Sequence, residues 1–275
     1  MNKNEILRII TSLASVRAPS GMEKDRGELF KKEMEKFLAS KDIPVKTDSL
    51  GNYHVKFKGT KGKKSIAILA HVDEIGGTIR KIKKNGCLEF SKRGGYEGRW
   101  LVSKTVKILN KNGKWINGII SGRSTHATPS KLRVKELIDP LELEIYVGAK
   151  NKNEVINDYQ IHVGAPIVFS GDFGLLNPDI NDDIISGYSM DNLAALTCSI
   201  VLTQKVMESL VNDFGTINIP SNLYIVATTR EEIGTEGALY FLKNHSIDQV
   251  IALDIGLVAD FTGSISSDIK LEGGP

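Results

Sequence analysis

The sequence predicts an α/β fold, a mostly parallel sheet flanked by helices and interrupted by an inserted β-rich domain. Three observations carry that prediction. In the first and last thirds of the chain, helix-spaced apolar patterns alternate with short continuous apolar runs, the texture of strand–helix–strand units. The middle third instead strings many short strand-like pieces between dense turn signals, with little helix, as a small barrel or sandwich does. Finally, 275 residues with 41% hydrophobic and 25% charged content suit a globular chain of one large or two ordinary domains.

Taken in order, Ile6, Ile9, Ile10 and Leu13 recur at helical spacing while Glu5 and Arg8 interrupt the apolar run. The N-terminus therefore reads as an amphipathic helix, not a signal sequence, ending near Ala18-Pro19-Ser20-Gly21. A second helix carries Phe30, Met34, Phe37 and Leu38 on one face. After the turn signal Asp48-Ser49-Leu50-Gly51-Asn52, alternation at Tyr53, Val55 and Phe57 marks an outer strand with one buried face. The run from Ser65 to Ala70 marks a strand covered on both faces.

From about Gly76 the short strands begin, with only residues 153–159 looking helical. After about Leu176 helix and strand alternate again: a helix from Asp191 to about Leu210, a buried strand at Leu223 to Thr228, a helix near Glu236 to Asn244, and a buried strand at Val250 to Leu253. The expected organisation is a discontinuous α/β domain of residues 1–73 and 175–275 around an insertion at 74–174, with right-handed crossovers between parallel strands.

Charge excludes some classes of function. Lys and Arg (36) nearly balance Asp and Glu (33) for a net +3, and the basic runs KGKK and KIKK lack interleaved aromatics, so no nucleic-acid partner is expected. Two cysteines, Cys87 and Cys198, form no disulfide framework. No run of about 18 uncharged apolar residues marks a membrane span, and the expected location is the cytoplasm.

In open α/β sheets, ligands bind beyond the carboxyl ends of the strands. His71 directly follows IAILA, Glu231 and Glu232 follow LYIVATT, Asp254 follows VIAL, and Asp191 stands where the long helix should start. Each has an ordinary role when taken singly. A lone histidine can be a satisfied core residue, Asp191 an N-cap, Asp254 a loop stabiliser, and the glutamates a complement to the following helix N-terminus. Together, one imidazole and several carboxylates on one sheet edge suit a borderline cation such as zinc, or a pair of them. Asp73, two residues past His71, can reach the second ring nitrogen and orient the imidazole. Adjacent glutamates at a strand end need not do one job: one can bind metal while the other moves a proton.

At this point the chain resembles the M42 family of metallo-aminopeptidases, which belong with the dinuclear zinc exopeptidases. The shared pieces, in the family's order, are APSGME, DSLGN, AHVDEIGG, SMDN, TTREEIGTEGA, ALDIG and a terminal IKLEGGP. The resemblance implies a zinc-exopeptidase-like sheet with an inserted small β-barrel domain, and removal of N-terminal residues from peptides. It implies two divalent metals, zinc or cobalt: His71 and Asp254 on one, Glu232 on the other, and Asp191 bridging both. Glu231 would be the general base, with Asp73 orienting His71. The inserted domain, from about Glu74 to Gly174, would help build a homo-oligomer, often a dodecamer in the family. Some members carry an endoglucanase label.

Two departures are visible. Where the family has Asp-Asp-Arg, this chain has Asp191-Asn192-Leu193. Members also continue past the glycine-proline turn to a histidine completing the second metal, whereas this sequence stops at Pro275, so a truncated or fragmentary chain is expected. His54, His126, His162 and His245 offer no replacement, and His245 should point away from the site. The competing expectations are a catalytically impaired relative acting as an assembly or peptide-binding subunit, and a related amidase or deacylase.

Overall fold

A computed structural model of the chain describes residues 1–122, 139–209 and 216–256. Two helices open the chain, α1 (Lys3–Ser15) and α2 (Lys24–Leu38). Asn2 caps α1 by accepting from the backbone nitrogen of Glu5. The helical spacing read from the sequence buries Ile9, Ile10 and Leu13 of α1 and Phe30, Met34 and Leu38 of α2.

Strands β1 (Lys46–Thr47), β2 (Tyr53–Gly59) and β3 (Ser65–His71) follow. The chain then leaves the sheet for a closed barrel. Its strands are β4 (Gly76–Ile82), β5 (Leu88–Arg93), β6 (Thr105–Leu109), β7 (Trp115–Ser121), β8 (Glu144–Tyr146) and β9 (Pro166–Ser170), closing in the order β4-β5-β8-β7-β6-β9. Closure removes every sheet edge, and the barrel has its own core around Ile79, Phe90, Val106, Ile108, Ile145 and Ile167. A short helix, α3 (Lys152–Asn157), is capped by Asn151.

Past the barrel comes an antiparallel hairpin, β10 (Gly174–Asn177) with β11 (Asn181–Ser186), which the sequence reading missed. Its Leu176, Ile180 and Ile184 are exposed, so no buried face marked it as strand. The remaining elements are α4 (Met190–Ser209), β12 (Thr216–Ile217), β13 (Asn222–Thr228), α5 (Glu236–Asn244) and β14 (Gln249–Ala252).

The main sheet runs β1-β2-β13-β3-β14, with β12 beside β2. Strands β13, β3 and β14 are mutually parallel, while β2 is antiparallel to β13 and to β1. Successive residues of β13 face opposite sides. Leu223, Ile225 and Ala227 join the core under α1, α2 and α4, and Tyr224 and Val226 pack with Phe241 of α5. The sheet is thus covered on both faces at its centre. The expectation of a buried strand at Val250 to Leu253 is corrected: β14 ends the sheet order, and Val250 and Ile251 are exposed, because no described residue pairs its outer edge. Among the described residues no helix is long and apolar enough to cross a membrane.

Candidate metal centre

Because β3, β13 and β14 run parallel, their carboxyl ends share one edge. His71 pairs with Thr228 in the β3–β13 register, and continuing the β14–β3 register by two residues places Asp254 level with His71. The aspartate at the start of α4 reaches the same edge. His71 Nε2 lies 2.8 Å from Asp191 Oδ1 and 3.9 Å from Glu231 Oε2. One ligand atom each from His71, Asp191 and Glu232 lie within 4.8 Å of one another. Asp254 stands outside that trio: it is exposed, and its Oδ1 accepts from the backbone nitrogen of Ile255. The His71–Asp191–Asp254 grouping implied by the resemblance therefore differs from the grouping found among the described residues.

The donor chemistry fits a divalent cation. His71 is buried, and its Nδ1 faces the Asp73 carbonyl at 3.0 Å and Asp73 Oδ1 at 3.6 Å. A proton held on Nδ1 by those oxygens leaves Nε2 as the ring atom that faces the carboxylates and could ligate a metal. The acids crowd one another. Burial, then Asp191, push the Glu232 carboxyl up to about 7. Burial also raises Glu231, with Asp73, Asp254 and Asp191 adding to the rise against the opposing pull of His71. For His71, burial favours the neutral ring, but hydrogen bonds that the charged ring donates to Asp191 and Asp73 outweigh it and raise the imidazole to about 10. A bound cation would relieve this like-charge crowding and replace the ring proton.

The turn after β13 is held by an unusual run of acceptors. Four consecutive backbone N–H groups each donate to a buried side chain: Thr229 to Asn52 Oδ1 (2.9 Å), Arg230 to Glu23 Oε1 (3.1 Å), Glu231 to Asp73 Oδ1 (2.9 Å) and Glu232 to Asp73 Oδ2 (3.1 Å). Ser20 Oγ also donates to Asp73, at 2.7 Å. Asn52 in turn donates to the Gly237 carbonyl at 2.9 Å, tying the turn to α5. A Cβ at Gly237 would come within 2.4 Å of the Asn52 side-chain oxygen, so only glycine fits there. Gly94, at the end of β5, brings the barrel to the site: a Cβ there would stand 3.3 Å from Glu232 Oε2 and 2.6 Å from Ile75 Cγ2.

Matching this chain to known proteins gives a consistent answer. A family model described as M42 glutamyl aminopeptidase matches residues 51–275. The chain belongs to the M42 family. It is 27% identical over 277 residues to FrvX of Escherichia coli strain K12, covering 98% of this chain and 70% of that protein. The solved aminopeptidase APDkam598 from the archaeon Desulfurococcus kamchatkensis is 28% identical with a TM-score of 0.78, over 96% of this chain and 67% of the other. The fold is also that of the Pyrococcus horikoshii TET1 peptidase, at 23% identity and a TM-score of 0.73, over 95% and 72% of the two chains. The protein is accordingly a hydrolase of the aminopeptidase class.

Within this M42 chain, the quoted motifs now have physical roles. APSGME and DSLGN contain no cluster ligand: they supply Ser20, Glu23 and Asn52, which hold the glutamate turn from below. Reading residues one at a time could not reveal this, because the bonds span 53 to 207 positions. The ordinary alternative weighed for Asp191, a helix cap, falls to its neighbour. The N-cap of α4 is Asn192, not Asp191: Asp191 and Asn192 have non-helical dihedrals, and Asn192 Oδ1 accepts from Ala195 N at 3.2 Å. That frees the Asp191 carboxylate for His71. Of the spare histidines, His54 and His245 lie in an aromatic cluster with Tyr224 and Phe241, away from the site; His162 bonds the Val163 carbonyl, and His126 lies outside the described residues.

Proposed function

We propose that this aminopeptidase removes N-terminal residues from peptides using divalent metal, zinc or cobalt, held by His71, Asp191 and Glu232 with Asp254. In this reading two cations would be held, with His71 and Asp254 contributing to one, Glu232 to the other, and Asp191 to both. The observation that carries it is the approach of one imidazole nitrogen and two carboxylate oxygens to within 4.8 Å of one another at the parallel strand ends. When bound, the metal supplies Lewis-acid polarisation of the scissile carbonyl and acidifies a water.

The chain's own residues do the rest. Glu231, beside His71 but outside the trio, takes the proton of the attacking water and returns it to the departing amine. Its carboxyl, raised by burial, is shifted toward the range in which a general base works well. Asp73 holds the His71 ring and both glutamate amides, so ligand and base keep a fixed separation. The excess of carboxylates favours approach of a peptide's cationic N-terminus. A homo-oligomer belongs to the same reading, supported by the tetrahedral or octahedral assembly of the solved TET1 peptidase and by the exposed Leu176, Ile180 and Ile184 of the hairpin.

Glu231→Gln tests the mechanism: metal content stays at the wild-type level while kcat for an aminoacyl anilide falls ~10²–10⁴-fold. Unchanged kcat removes Glu231 as the base. Elemental analysis showing no metal, together with no peptide turnover, removes the metallo-aminopeptidase reading itself.

A further inference from the structure

The proposed chemistry leaves a fully buried ion pair, Glu74 with Arg26, without a task. Glu74, next to Asp73, is 1% exposed, and its two oxygens serve different partners. Oε1 accepts from Arg26 Nη2 at 2.9 Å and from the Ala18 backbone nitrogen at 2.6 Å, while Oε2 accepts from the Ser189 hydroxyl. Arg26 is itself pinned, donating from Nε to the Val16 carbonyl and from Nη1 to the Val72 carbonyl, both at 2.9 Å. The Glu74 carboxylate therefore has one orientation available to it.

Ser189 stands two residues before Asp191 and has a φ of +55°, a region uncommon for residues other than glycine and held only where the surroundings demand it. Its neighbour Tyr188 is fastened as well, donating to the Ala14 carbonyl at 2.8 Å beneath the Arg17 guanidinium, which lies 4.1 Å from the ring centre. The Ser189 carbonyl then accepts from Leu193 in the first turn of α4. Between these two anchors lies the segment that carries the Asp191 carboxylate to His71.

We propose that Glu74, acting through Ser189, is a positioning residue that holds the Asp191 carboxylate against His71. The inference rests on the reading of Asp191 as a metal ligand. A buried ion pair is a poor way to fill space, since apolar side chains of similar volume stabilise as well or better. What Arg26 and Glu74 add is an acceptor oxygen of fixed direction, met by the Ser189 hydroxyl two residues before Asp191. Consecutive residues thus serve the two halves of the site: Asp73 the glutamate turn, Glu74 the aspartate.

The test uses the full chain carrying Ser189→Ala, because Glu74→Gln would strand the Arg26 charge and could unfold the protein. Two readouts are taken: cobalt(II) affinity from visible absorption with a competing chelator, and the His71 ring nitrogen resonances of the metal-free protein. Ser189→Ala is expected to weaken cobalt binding ~10–100-fold and to shift the His71 resonances. Ser199→Ala, which removes a still more deeply buried hydroxyl, on α4, that bonds only its own helix, is expected to change neither. Wild-type values for Ser189→Ala in both readouts, or equal effects from Ser199→Ala, overturn the proposal. Cobalt affinity unaffected by His71→Ala would instead overturn the metal reading, and the resonances of Ser189→Ala would still decide the role of Glu74.

Discussion

The backbone nitrogen of Glu231 lies 2.9 Å from Oδ1 of Asp73, across 158 residues of sequence. The second oxygen of the same carboxylate takes the amide of Glu232. One buried side chain thereby sets the directions of the proposed base and the proposed ligand together. Asp73→Asn replaces one acceptor oxygen with a donor that must face an N–H or the Ser20 hydroxyl. We expect a loss of ~1–3 kcal/mol in chemical denaturation, and a fall in kcat of at least ~10-fold that added metal does not restore.

Glu232→Gln should separate the two glutamates. Its side chain belongs to the ligand trio, whereas that of Glu231 does not. We expect metal affinity to fall ~10–100-fold, with turnover recovering at high metal concentration, as measured by chelator competition and metal-rescue kinetics. Turnover that stays low at saturating metal would contradict the assignment of Glu232 as a ligand only.

Asn192 is where the chain departs from the Asp-Asp-Arg pattern. Its amide donates to the Leu253 carbonyl at 2.8 Å while its oxygen caps α4. It is 1% exposed and followed by Leu193, fully buried in the core, so no cation stands beside it in sequence. Asn192→Asp places a carboxylate against a carbonyl oxygen. Thermal unfolding should show a loss of ~1–3 kcal/mol relative to wild type near neutral pH, smaller below pH 4 where the new acid is neutral.

His54 gives the chain an acid-sensitive point remote from the metal centre. Burial, then the nearby His245, lower its imidazole to about 4, with Asp48 pulling it up and Lys46 pushing it down. Its Nδ1 is buried without a hydrogen-bond partner. Because the unfolded ring titrates near 6.5, the unfolded chain binds the extra proton between pH 6.5 and 4. His54 is therefore neutral at no cost above pH 6.5, and stability is lost as pH falls toward 4, by at most ~3 kcal/mol. In urea unfolding at pH 7 and pH 5, His54→Leu should show a smaller difference than wild type. An equal difference would place the acid sensitivity elsewhere.

Much of the site was legible because strand ends and apolar runs are local. The apolar runs at Ser65 to Ala70 and at Leu223 to Thr228 made both strands readable. In a parallel sheet their final residues must then share an edge. The hairpin at Gly174 to Ser186 was not legible, since its exposed isoleucines and leucine follow no buried face. Nor was the cap of α4: Asp191 and Asn192 are both good capping residues, and only the reach of Asp191 to His71 decides between them.

By itself, then, the sequence determined which residue types reach the candidate edge and in what order, because hydrophobic periodicity and chain direction are properties of short segments. The tertiary structure decided what those residues do to one another. It gave Asp73 the two glutamate amides, Glu74 the Ser189 hydroxyl, and Asn52 and Glu23 the rest of the turn. It also left Asp254 outside the closest trio. A hydrogen bond has a reach of about 3 Å and a preferred angle, and no pattern along a chain records which distant donor will arrive there.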